Sequence, residues 1–159
     1  MRPLLPVLLL LAAPAWADSA MPVKGGPPGT NIEMPYVMAP VSDASGRLTG
    51  YAYLLSRLTA ASSSDALKVR DRLAVLQDAF VRDVNHAAVT VPNDPAQVDI
   101  PAIEVRFLAD ARRVMGSIPV RQVTICTAEI AGLKFRPDES PPVPALQDAN
   151  IPVRSRCTR

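Results

Sequence analysis

Residues 47–86, RLTGYAYLLSRLTAASSSDALKVRDRLAVLQDAFVRDVNH, change from one periodicity to another within a few positions. From Arg47 to Ala60 the apolar residues Leu48, Tyr51, Tyr53, Leu54, Leu55 and Leu58 read as a well-buried strand. Ser62-Ser63-Ser64-Asp65 then supplies helix-capping residues, with Ser62 and Asp65 spaced as a capping box. The following segment is free of glycine and proline up to Pro92. Within it Ala66, Val69, Leu73, Leu76, Phe80 and Val84 recur at intervals of three and four, which predicts one helix over 65–86 with an apolar stripe. A strand feeding directly into an amphipathic helix implies a sheet for that stripe to cover.

Upstream, Ile32, Met34, Tyr36, Val37, Met38 and Val41 form a second apolar run, which Pro35 and Pro40 mark as an edge strand. Ser42-Asp43-Ala44-Ser45-Gly46 is turn chemistry, so the two strands form an antiparallel hairpin. Downstream, Val91-Pro92-Asn93-Asp94-Pro95 breaks the chain. Asp99, with Pro101 two places later, starts a second helix whose buried row is Ile103, Phe107, Ala111 and Val114, and Gly116 stops it. Val120–Ile130 is a third strand, with Val123, Ile125 and Thr127 on one face and Gln122, Thr124, Cys126 and Ala128 on the other. The expected fold is α+β: a three-stranded antiparallel-type sheet with two helices packed on one face, in the order β-β-α-α-β, as a single domain over residues 31–131.

Both ends differ in kind from this middle. Residues 1–17 combine Arg2, a short apolar block from Leu4 to Ala13, and Ala15-Trp16-Ala17, the pattern of a signal peptide cleaved after Ala17. A retained anchor is the competing reading, with Trp16 at the membrane interface. Cleavage places the protein in the periplasm and removes its single tryptophan. Residues 18–30 hold Pro22, Gly25, Gly26, Pro27, Pro28 and Gly29, a flexible Pro/Gly arm. Residues 132–159 form a Pro-rich tail carrying Pro137, Pro141, Pro142, Pro144 and Pro152. The two cysteines, Cys126 and Cys157, suit no metal-ligand spacing, and in an oxidising compartment they read as a disulfide that ties the tail back. A redox-catalytic pair is the alternative, although such pairs usually sit as Cys-X-X-Cys.

Few function classes find support in the residues. With 17 Lys+Arg against 15 Asp+Glu, mixed along the chain, there is no electrostatic footprint for nucleic acid. No glycine-rich phosphate loop follows a strand, and no serine sits in a Gly-X-Ser-X-Gly elbow. The single histidine, His86, falls near the end of the first helix, an ordinary place for an imidazole. Asp138 and Glu139 lie in the Pro-rich tail, without a scaffold to hold them at catalytic distance. No metal, cofactor or enzyme activity is therefore expected. Tyr51 and Tyr53, two apart on one strand face, are either core contacts with a helix or a partner face.

The strings Ile32-Glu33-Met34-Pro35-Tyr36-Val37-Met38-Ala39-Pro40-Val41 and Gly50-Tyr51-Ala52-Tyr53-Leu54-Leu55, the helix from Ala66 to Val84 and the closing strand Val120–Ile130 resemble the periplasmic domain of FliL, the flagellar basal-body-associated family, over about residues 31–131. The resemblance implies a stomatin-like fold, assembly around flagellar stator units and no catalytic residues. Members of that family keep a transmembrane helix, whereas this chain carries a cleavable leader, a cysteine pair and a proline tail. The expectation is a non-enzymatic periplasmic interaction or adaptor protein, partnered by itself or by flagellar motor components, with no stable membrane anchor after cleavage. The alternative is a periplasmic small-ligand or lipid-binding module, disfavoured by an aromatic content of 4%. A hydrolase would need His86 facing a serine and an acid in one cleft.

Overall fold

The structure, a computed structural model, describes residues 26–133 and Cys157. The fold is α+β, in the order β1 (Asn31–Glu33), β2 (Val37–Ser42), β3 (Leu48–Ala60), α1 (Ser63–Arg70), α2 (Leu73–His86), β4 (Thr90–Val91), β5 (Asp94–Val98), α3 (Ile100–Met115) and β6 (Val120–Gly132). All pairing is antiparallel. β3 is the central strand: β6 runs along one edge from Gly50 to Ala60, and β1 and β2 take successive stretches of the other. The sheet is thus four strands by count but three wide. Pro35 explains the interruption, because it lacks the N–H that a continuous ladder needs. Across the gap the register slips by one residue, and Met34 N–H still donates to Ser56 C=O at 2.9 Å.

Gly50 allows β6 to come close. A Cβ there would lie 2.4 Å from the carbonyl oxygen of Ala131, so any other residue would force the two strands apart. On the same face Ala52, Leu54 and Leu58 alternate inward and meet Leu76, Phe80, Ile103 and Phe107 in one contiguous core. The Phe80 and Phe107 rings stack with centroids 4.1 Å apart and join α2 to α3. α1 packs on β1 and β3, α2 on β2 and α3, and α3 on β6.

The helix read over 65–86 is two helices. Arg72 leaves helical geometry at φ −112° and ψ 15°, and its guanidinium donates to Val114 C=O at 3.2 Å, at the end of α3. The break lets α1 lie over β3 while α2 turns toward β2. Its start is as expected: Ser62 Oγ accepts from Asp65 N–H at 3.1 Å and donates to the Asp65 carboxylate at 2.6 Å. That second bond holds Asp65 below the usual carboxylate range, with Lys68 helping. Asp99 caps α3 by accepting from Ala102 N–H, and Gly116 ends it at φ 61°.

Two further differences have local causes. Val91-Pro92-Asn93-Asp94-Pro95 does not merely break the chain; Asn93 at φ 67° turns it into the small exposed hairpin β4–β5. In β6, Leu55 pairs with Thr127 and Ser56 with Ile125, so Cys126 is an extra residue in a β-bulge. The bulge shifts the alternation: Val123 and Ile125 face the core as expected, but beyond Cys126 the inward residues are Ala128 and Ile130, and not Thr127. Of the arm expected over 18–30, residues 26–30 form a turn held by Thr30 N–H to Pro27 C=O and by Gly26 N–H to the Asn31 side chain. The leader and most of the tail, with Asp138 and Glu139, lie outside the described residues.

Candidate interaction surface

The face of the sheet turned away from the helices falls into two halves. The first is built on Arg57 and Thr59 of β3 and on Thr124 and Thr127 of β6, all polar and all buried. Arg57 donates through Nε to Glu33 Oε1 at 2.6 Å across the β1–β3 pair, and Thr59 Oγ1 donates to Asn31 Oδ1 at 3.1 Å. The turn over 26–30 shelters Thr59, since an added Cβ on Gly26 would lie 2.5 Å from its methyl group. Cys126 is bonded to Cys157 here; both are buried and neither belongs to the helix-side core. The sequence named this pair, and the alternation that turns Val123 and Ile125 toward the core turns Thr124 and Cys126 away from it.

The second half is open. Tyr51 and Tyr53 are half-buried, and their neighbours Ala52 and Leu54 are completely buried on the helix side, so the tyrosines face away from the helices. Directly across from them on β2 stand Pro40 and Met38, the latter 51% exposed, and Tyr36 just before the strand is 57% exposed. Tyr36, Met38, Tyr51 and Tyr53 make one patch of large amphipathic side chains at the β2 side of the sheet. Met38 carried no functional signal in the sequence, because which face it takes depends on the register slip at Pro35.

The two outer edges of the sheet differ as well. α3 covers the start of β6: Glu104 Oε1 accepts from Ile125 N–H at 2.9 Å, and Arg112 Nε donates to Val120 C=O at 3.3 Å. Among the described residues β2 has no such cover. Beside its end opens a cleft of about 290 Å³ between Pro40–Asp43 and residues 84–90 at the end of α2.

That cleft brings Ser42, Asp43 and His86 together. They do not form a catalytic relay. Asp43 Oδ1 accepts from Ser45 N–H, Ser45 Oγ and Arg47 N–H, while its Oδ2 takes Arg47 Nε at 3.2 Å. These bonds, led by the Ser45 hydroxyl, hold its carboxyl below the ordinary value and commit it to the turn. His86 is exposed and has no hydrogen bond to either residue, so neither orients the imidazole as a base. Among the described residues no group of three or more His, Cys, Asp or Glu side chains could hold a metal ion, and no helix is long and apolar enough to cross a membrane. Compared with known proteins, the chain matches no family model, no curated protein and no solved structure.

Proposed function

We propose that the chain is a non-enzymatic periplasmic interaction protein of the FliL type, an adaptor that binds a protein partner through the open half of its sheet, with the flagellar motor as the setting the resemblance suggests. The observation that carries this reading is the patch of Tyr36, Met38, Tyr51 and Tyr53 on a face that no described helix covers. Tyrosine and methionine offer large contact area and adapt to a partner. The buried disulfide supports delivery to an oxidising compartment.

The test is capture of partners from periplasmic extract by the exported, disulfide-bonded protein and by its Tyr51→Ser/Tyr53→Ser variant, with mass spectrometry to identify what is retained. A specific protein held by the first and lost by the second supports the reading, and a motor component among them supports the flagellar setting. Equal retention by both removes the patch from consideration. The cleft favours a second reading, a small-ligand module, for which it supplies a volume near the lower end of ligand pockets. It is open to solvent and touches the core only at its margin, through Val41, Val84 and Val89, a poorer match to an apolar ligand than the patch is to a protein surface.

A further inference from the structure

The free edge of β2 carries a definite pattern of backbone groups. Proline has no N–H, so Pro40 and its partner Tyr51 cannot exchange two bonds and must form a non-bonded pair of the ladder. The other edge of β3 gives the same phase independently. Leu133 N–H donates to Thr49 C=O, which aims the main chain of Thr49, Tyr51 and Tyr53 at β6. Val37, Ala39 and Val41 therefore hold β2 to β3, while Met38 and Pro40 direct their main chains away from the sheet. Met38 presents both N–H and C=O, Pro40 a C=O alone, and these three groups meet no hydrogen-bond partner among the described residues.

The cleft adjoins this edge on its helix side, with Val41, Val84 and Val89 in its walls. Side chains of an added strand would alternate between the tyrosine face and this cleft. Charge narrows the choice of guest. Asp43 is already matched by Arg47, and Arg106, which donates to Ala88 C=O beside the cleft, is matched by Asp83, so what is left unbalanced along the cleft is the negative end of α2, where the carbonyls of Val84, Asn85 and His86 accept no bond among the described residues.

We propose that an extended peptide segment of a partner protein, apolar with a basic and without an acidic residue, adds as a strand along Met38–Ser42 and places one side chain in the cleft against the end of α2. This deepens the proposed function and rests on its reading of the open side of the sheet as the binding side. The edge supplies affinity through main-chain bonds, the cleft and the helix end supply selectivity, and the missing donor at Pro40 limits indiscriminate pairing.

The experiment displays random twelve-residue peptides on phage against the exported, disulfide-bonded protein. The selected consensus is then synthesised and titrated while amide exchange is followed by NMR. The expected result is a consensus with apolar and basic residues, at least tenfold slower exchange of the Met38 amide in the complex, and about tenfold weaker binding by Met38→Pro, which removes the outward N–H of Met38. Met38→Ala keeps that N–H and should retain main-chain protection at position 38. No enrichment, an acidic consensus, protection elsewhere, or pairing of β2 with a second copy of the chain would each overturn the proposal. A partner captured through Tyr51 and Tyr53 but indifferent to Met38→Pro would overturn it while leaving the proposed function standing.

Discussion

The two halves of the outer sheet face reverse the usual assignment of residues to inside and outside. Around Arg57 the side chains are charged or hydroxylic and buried; around Tyr51, Glu129 of β6 apart, they are aromatic or apolar and in contact with solvent. A protein that needed only stability would be expected to do the opposite, because burying an arginine demands partners and exposing methionine and tyrosine forgoes burial. The closed half satisfies its demand locally, through Glu33 and Asn31 and beside the cysteine bridge. The open half has no such internal use among the described residues, which is why we propose it as the binding side.

The largest effect expected from disturbing this division is loss of the bridge. Cys157→Ser opens a link between residues 31 apart in sequence and should cost about 3–4 kcal/mol on the chain-entropy view, read as a lower midpoint in urea. An unchanged midpoint would mean that the closed half does not depend on its cross-link. Next comes Arg57→Met, which keeps the bulk and removes the charge. It should cost about 1–3 kcal/mol, whereas Glu33→Gln, at the half-exposed end of the pair, should cost less than about 1 kcal/mol. Similar losses from the two would show that Arg57 is no more embedded than its partner. On the open half, Tyr51→Ser/Tyr53→Ser should shift stability by less than about 1 kcal/mol while abolishing capture of the partner. A stability loss as large as that of Cys157→Ser would make these tyrosines structural.

The smallest effect lies on the helix side and calibrates the others. Asp65 has its pKa lowered by the Ser62 hydroxyl, so its contribution is complete above the ordinary value of 3.8 and is lost as pH falls through the lower folded value. Helical circular dichroism followed from pH 5 to pH 2 should show a slight acid loss in the native chain that Asp65→Asn lacks. An equal loss in both would place the acid sensitivity elsewhere.

Periodicity made most of the architecture legible. The alternation from Arg47 to Ala60, the stripe from Ala66 to Val84 and the caps at Ser62 and Asp99 each encode a local preference that the tertiary structure keeps. What stayed hidden depends on single residues acting at a distance. The break at Arg72 is tied to a carbonyl at Val114, the edge cover of β6 comes from Glu104 on another helix, and the slip at Pro35 decides which face Met38 takes. The candidate surface was half visible for the same reason. Tyr51 and Tyr53 could be paired on one strand face by their spacing, but which face that was, and what stood beside it on β2, required the register.

Cys126 has a consequence for lineage. Because it is the surplus residue of its bulge, Ile125 and Thr127 already sit opposite consecutive positions of β3, and Ala128 and Ile130 already point inward. Loss of that one codon would leave an ordinary strand with its interior intact and would cut the tie to Cys157 alone. The cross-link can thus come and go in a gene by a single in-frame triplet that keeps the β3–β6 pairing, at the stability cost of the bridge itself.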